Sequence, residues 1–302
     1  MTAKKMPQVI VLSVGGLRLA LDVAALPSNL LAGMLSDYSP FLLADQEWGR
    51  HPAGEKEVDL KVSLTVAAGS HFVEPAAGHS WRIDTRCERG RLNYESYYEL
   101  GWLDLASHCG HLLLRPEAQP ENFLRVAFAH LALAHHGLLL HASGLIHREQ
   151  GYVFFGHSGA GKSTVAGFAP ADSTLLSDDL VLLRLRRERG RERPQLWLHG
   201  VPFRGEALPA PRPNAAAPIA GLFALHQAPG HSLAGLPVPQ AAAQLLACTP
   251  FLDGDPAACR QALVVCVAIA QAMPIHTLAF ARNSGFWQLL TGEEARFDDN
   301  HQ

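Results

Sequence analysis

The chain has 302 residues, which suits one large domain or two of ordinary size at roughly 150 residues each. With 48% hydrophobic and 18% charged residues it has the composition of a soluble, core-forming protein, and a net charge of −3 gives no reason to expect nucleic acid as a partner. Five cysteines without a CxxC pair argue against a disulfide framework and for reduced thiols in the cytoplasm. The opening MTAKKMPQVIVLSVGG lacks the apolar core and cleavage site of a signal peptide, so none is expected. The longest apolar stretch, residues 262–273, is shorter than the ~20 residues that span a bilayer, and no membrane partner is expected.

Taken in chain order, residues 1–115 read as β-rich: QVIVLSV (8–14), the alternating EVDLKVSLTV (57–66), SWRIDTRC (80–87) and RLNYESYYEL (91–100). Gly, Pro and His clusters separate these runs, as in hairpins or a small sandwich whose core takes up the Trp and Tyr residues of 80–102. From 116 to 137 the period changes. Leu124, Ala127, Phe128 and Leu131 fall on one helical face, and Gly137 is placed to stop the helix. The boundary is set here, giving a β-rich domain over 1–117, suited to substrate or partner recognition, and a second domain over 118–302.

The second domain reads as a strand at 138–147, a buried strand at 151–156, a glycine loop and a short helix from Ser163 that Pro170 helps to stop. TLLSDDLVLLRL (174–185) is a strand, an acidic corner and a strand, and 186–203 is a charged hairpin tip with its return strand. Residues 206–219, with four prolines, read as loop; a strand at 221–227, helices at 239–248 and from 255, a strand at 275–281 and a helix at 285–290 follow. The fold class expected is mixed α/β, with a mixed sheet in the second domain.

GHSGAGKS, Gly156 to Ser163, fits G-x-x-x-x-G-K-[ST] between an apolar strand and a helix. In such a loop Gly156, His157, Ser158, Gly159, Ala160 and Gly161 turn their backbone N–H groups toward phosphates. Lys162 reaches the β- and γ-phosphates, and the Ser163 hydroxyl ligates Mg²⁺, with Thr164 beside it. Of 25 basic residues only five are lysine, and beyond Lys61 the sole lysine is Lys162. An arginine-using chain thus keeps a compact ammonium where a point charge must fit beside phosphates. ATP and Mg²⁺ are the ligands expected.

Asp178 and Asp179 follow an apolar strand, where a P-loop protein holds its metal. In extended backbone two adjacent carboxylates point to different sides, one to the metal and one to an acceptor hydroxyl. On pattern alone His141 fits a structural role at a strand end as well as a place in the site, where it would meet Asp178.

The order LLLHASGLI, GYVFFGHSGAGKST, TLLSDDLVLL over residues 138–185 resembles the catalytic domain of HPr kinase/phosphorylase and its relatives. The resemblance implies a fold related to phosphoenolpyruvate carboxykinase. It implies Asp178 as base toward an acceptor serine, Asp179 on the metal side and His141 near the reacting phosphate. Arg204-Gly205 matches that family's Arg-Gly signature, but Pro202 stands where its glutamate belongs; Glu206 is the nearest substitute. The N-terminal region does not resemble that family's usual N-terminal domain, so the resemblance names neither HPr as acceptor nor a hexamer, and leaves a homo-oligomer open.

The function expected is an ATP- and Mg²⁺-dependent kinase acting on a serine hydroxyl of a protein or peptide. The rivals are a nucleotide-binding regulatory or scaffold module without transfer chemistry, and a kinase that also removes the phosphate. RLRRERGRER (184–193) reads as a solvated hairpin tip, and the histidines at 108, 111, 135 and 136 lack zinc spacing.

Overall fold

A computed structural model describes residues 7–43, 58–69, 72–74, 82–187, 194–205 and 212–292. Their architecture is mixed α/β: two mixed sheets, of seven and eight strands, and six α-helices. The chain forms two compact units, one of residues 1–131 with 251–256, the other of 132–250 with 257–302.

The first unit opens with a hairpin, β1 (Val9–Val14) and β2 (Leu17–Asp22). Gly15 and Gly16 between them have φ of 59° and 88°, the left-handed pair that a two-residue turn needs. Helix α1 (Ser28–Asp37) follows. β3 (Leu60–Val66) then runs parallel to β2 and to β7 (Cys109–Leu114). β4 (Ile83–Glu88), β5 (Arg91–Ser96), β6 (Glu99–Asp104) and β7 make an antiparallel meander, in the order β1-β2-β3-β7-β6-β5-β4. These strands form one sheet rather than a sandwich. The expected single strand 91–100 is two strands, because Tyr98 takes a φ of 62° and turns the chain between β5 and β6. Tyr94 is buried and packs edge-on against Phe123, whereas Trp102 is only half-buried, beneath the Arg91 guanidinium.

Helix α2 (Glu121–Ala134) is buried on nearly every side from Phe123 to Leu133, not only along the expected stripe. It ends before Gly137: His136 takes the left-handed φ of 56°, and Gly137 already belongs to the next strand. The division between the units falls inside this helix, after Leu131.

In the second unit β8 (Gly137–His147) changes partners along its length, pairing with β11 (Leu180–Arg186) through residue 141 and with β9 (Gln150–Phe155) from residue 142. β13 (Ala216–Gln227) does the same, first beside β12 (Gln195–His199) and then parallel to β9 and to β15 (His276–Phe280). β8, β11, β12, β13 and β9 therefore pair in a closed ring, with β10 (Thr174–Ser177) beside β8 and β14 (Ser232–Gly235) beside β15. A Cβ at Gly144 would come within 2.7 Å of Val181, and one at Gly151 within 3.1 Å of Leu198, so two glycines let the layers of the ring close. β13 begins at Ala216, inside the stretch expected to be loop.

α3 (Lys162–Gly167), α4 (Val238–Ala247), α5 (Pro256–Ala272) and α6 (Phe286–Thr291) complete the second unit. Its core joins Leu145, Phe154, Val165, Phe223, Phe280 and Trp287. No helix among the described residues is long and apolar enough to cross a membrane. The tip at 188–193 and Glu206 lie outside the described residues.

Candidate nucleotide site

β9 is buried throughout after its first residue and delivers the chain to Gly156, the first glycine of the loop. From there residues 157–159 are exposed, Ala160 returns to the core, and the Ala160 N–H closes a turn on the His157 carbonyl at 3.1 Å. Gly159 and Gly161 have φ of 80° and 105°, a region that glycine enters without the Cβ penalty. Gly161 has a second constraint, since a Cβ there would lie 2.6 Å from the buried Phe280 ring. Gln227, at the end of β13, donates its side-chain amide to the Gly159 carbonyl at 2.7 Å. The parallel strands β9, β13 and β15 thus place their C-terminal ends around the loop, where α/β sheets bind ligands.

Lys162 is 8% exposed, and its ammonium donates to the carbonyls of Gly156 (3.1 Å) and His157 (3.3 Å). Burial lowers its pKa, while Cys248 and Asp179 act in the opposite direction. The influence of Asp179 ties the acidic corner to the loop. Ser163 is exposed beside Lys162 at the start of α3, and Thr164 is half-buried.

Asp178 and Asp179 occupy the bend between β10 and β11. The Ser177 hydroxyl accepts the backbone N–H groups of Asp179 and Leu180, both at 3.1 Å, so the bend is held locally. The Asp179 carbonyl in turn accepts the Ala142 N–H of β8 at 3.0 Å. His141 stands opposite Leu180, and its Nε2 lies 3.4 Å from Asp179 Oδ1. The histidine therefore meets the acidic pair at Asp179. The two carboxylates differ in access: Asp178 is 5% exposed, while the Asp179 side chain keeps 29%.

Gly205 packs directly on the pair. A Cβ there would overlap Asp178 Oδ1 and approach Asp178 Cγ to 3.1 Å and Asp179 Cβ to 3.2 Å. Arg204, beside it, is exposed. The loop, Lys162, the two aspartates, His141 and Gly205 thus gather around one place.

Two neighbours carry no signal in the sequence. Cys248 ends α4, and its carbonyl accepts the His141 N–H at 2.8 Å. Burial raises its thiol pKa, against Lys162 and the Gly156 N–H. Arg212 is 3% exposed and donates to the Phe203 and Gly205 carbonyls. A buried arginine in a proline-rich stretch follows no motif.

Among the described residues no group of three or more His, Cys, Asp and Glu could hold a metal. One hydroxyl, Ser163, and one partly open carboxylate, Asp179, fit Mg²⁺ in the manner it favours, shared with phosphate oxygens and water rather than caged by protein. No protein-family model matches the chain, and no curated protein matches it.

Proposed function

We propose that the protein is an ATP- and Mg²⁺-dependent kinase that transfers the γ-phosphoryl group to a serine hydroxyl of a protein or peptide. The observation that carries this reading is a glycine loop whose lysine lies within electrostatic reach of Asp179, the carboxylate that His141 contacts at 3.4 Å. The loop amides and Lys162 hold the phosphates, which neutralises charge as the group moves. Ser163 and Asp179 would hold Mg²⁺, whose chemistry is to neutralise the phosphate oxygens. Asp178 takes the proton of the acceptor hydroxyl as that oxygen bonds to the γ-phosphorus, the bridging bond to the β-phosphate breaks and ADP leaves. His141, beside Asp179, would donate an imidazole N–H to a phosphate oxygen.

The burial of Asp178 favours a second reading, a nucleotide-binding module without transfer chemistry, because an acceptor hydroxyl must pass Gly205 to reach that carboxylate. One set of variants separates the two. Lys162→Ala should weaken ATP·Mg²⁺ binding by at least about tenfold, as expected for a lost charge-assisted contact of roughly 1.5–3 kcal/mol. Asp178→Asn should bind ATP and abolish transfer to serine peptides. Unchanged ATP affinity in Lys162→Ala sinks the nucleotide reading. Absence of transfer from the wild type selects the binding module, and transfer surviving in Asp178→Asn moves the base to Asp179.

A further inference from the structure

We infer that Arg212 is a positioning residue of this site, acting through the backbone of residues 203–205 on the Asp178–Asp179 pair. The inference rests on the metal-and-phosphate reading of that pair. An arginine only 3% exposed is held by hydrogen bonds, because its donors have no water to turn to. Arg212 Nε donates to the Phe203 carbonyl at 3.2 Å and Nη2 to the Gly205 carbonyl at 3.4 Å. These two carbonyls flank Arg204, so one rigid fork clamps the backbone on both sides of that residue. A lysine, with a point charge on a flexible stem, does not reproduce a fork.

Gly205 passes the constraint on. Its backbone lies so close to the acids that a methyl group there would overlap Asp178 Oδ1 and sit 3.2 Å from Asp179 Cβ. Backbone packed at this distance covers Asp178 and leaves Asp179 partly open, facing His141. Two carboxylates adjacent in sequence thereby become one enclosed and one accessible group, and the clamp that sorts them is anchored on Arg212. Releasing the clamp frees Gly205 to move and lets both carboxylates relax from the positions a cation would share.

The test uses the full chain and reads metal and nucleotide binding separately. Mn²⁺ is titrated by electron paramagnetic resonance with and without ADP, and ADP is titrated by calorimetry in the presence of a chelator. Arg212→Met should weaken Mn²⁺ binding by about 10- to 100-fold, the usual cost of losing a residue that orients a metal ligand. Metal-free ADP binding, which reads the loop alone, should stay at the wild-type value, and Arg212→Lys should recover part of the Mn²⁺ affinity. Because so buried an arginine also contributes to folding, Gly205→Ala is the second variant. It keeps Arg212, pushes a methyl group onto Asp178, and should show the same selective loss. Wild-type Mn²⁺ affinity in either folded variant overturns the inference. So does an equal loss of Mn²⁺ and metal-free ADP, which marks a general structural role, and so does a wild type that binds no Mn²⁺. A wild type that binds Mn²⁺ but no ADP removes the nucleotide reading alone, since the variants are still compared without nucleotide.

Discussion

Glu99 is 3% exposed in the first unit, where its carboxyl accepts the Tyr94 hydroxyl at 2.6 Å and the Phe123 backbone N–H. Burial pushes its pKa up to about 8 in spite of both hydrogen bonds. An acid raised in the folded state contributes fully below its unfolded pKa near 4.5, and stability falls as pH rises from there through about 8. Glu99→Gln keeps an acceptor for Tyr94 and carries no proton to lose. Urea denaturation at pH 5 and pH 9 should therefore show a drop in the wild type that the variant lacks, on the order of a few kcal/mol. An equal drop in both proteins would place the titrating group elsewhere. His199 has the opposite sign: burial, with Arg186 and Arg184 nearby, lowers its pKa to about 3, so its contribution is lost as pH falls below the ordinary value of 6.5. Neither residue stands out in the sequence, because a glutamate on an alternating strand reads as solvent-facing until its neighbours across the sheet are known.

Elements were legible where their punctuation was local. The apolar run 151–156, the glycine loop and the helix expected from Ser163 follow one another directly, and β9 (Gln150–Phe155), the loop and α3 (from Lys162) lie within a residue of those bounds. The turn between β5 and β6 has no sequence signal, because Tyr98 bends the chain where glycine or asparagine ordinarily marks it. The start of β13 is hidden in the sequence because Pro218 lies inside the strand, opposite Trp197. The Gly205 contact and the Arg212 clamp depend on chain segments that meet only in three dimensions. For the loop the physical demand is specific enough to test. Gly161→Ala combines an unfavourable φ of 105° with overlap against Phe280, and should cost roughly 1–3 kcal/mol in chemical denaturation. Gly167→Ala, at the other end of α3, meets nothing within 4 Å and should be neutral. Equal stability of the two variants would mean that the Phe280 ring yields without cost.

Neither unit is a single stretch of chain. Residues 251–256 belong to the first unit although the chain reaches them only after the 132–250 stretch of the second. This strap is fitted, not merely adjacent: the Gly254 carbonyl accepts the Cys87 N–H at 2.8 Å, and Asp255 lies 3.9 Å from the buried His130. A Cβ at Gly254 would run into the Thr85 backbone. Gly254→Ala should therefore destabilise the protein by about 1–3 kcal/mol, the usual cost of overpacking, with Tm lowered in a thermal melt. An unchanged Tm would show the strap to be loose against β4. The order of synthesis gives the strap a further meaning. At ~5–20 residues per second the ribosome completes α2 on the order of ten seconds before it reaches Gly254. A nascent chain halted anywhere in that interval carries the whole N-terminal sheet and still lacks the piece that packs against β4.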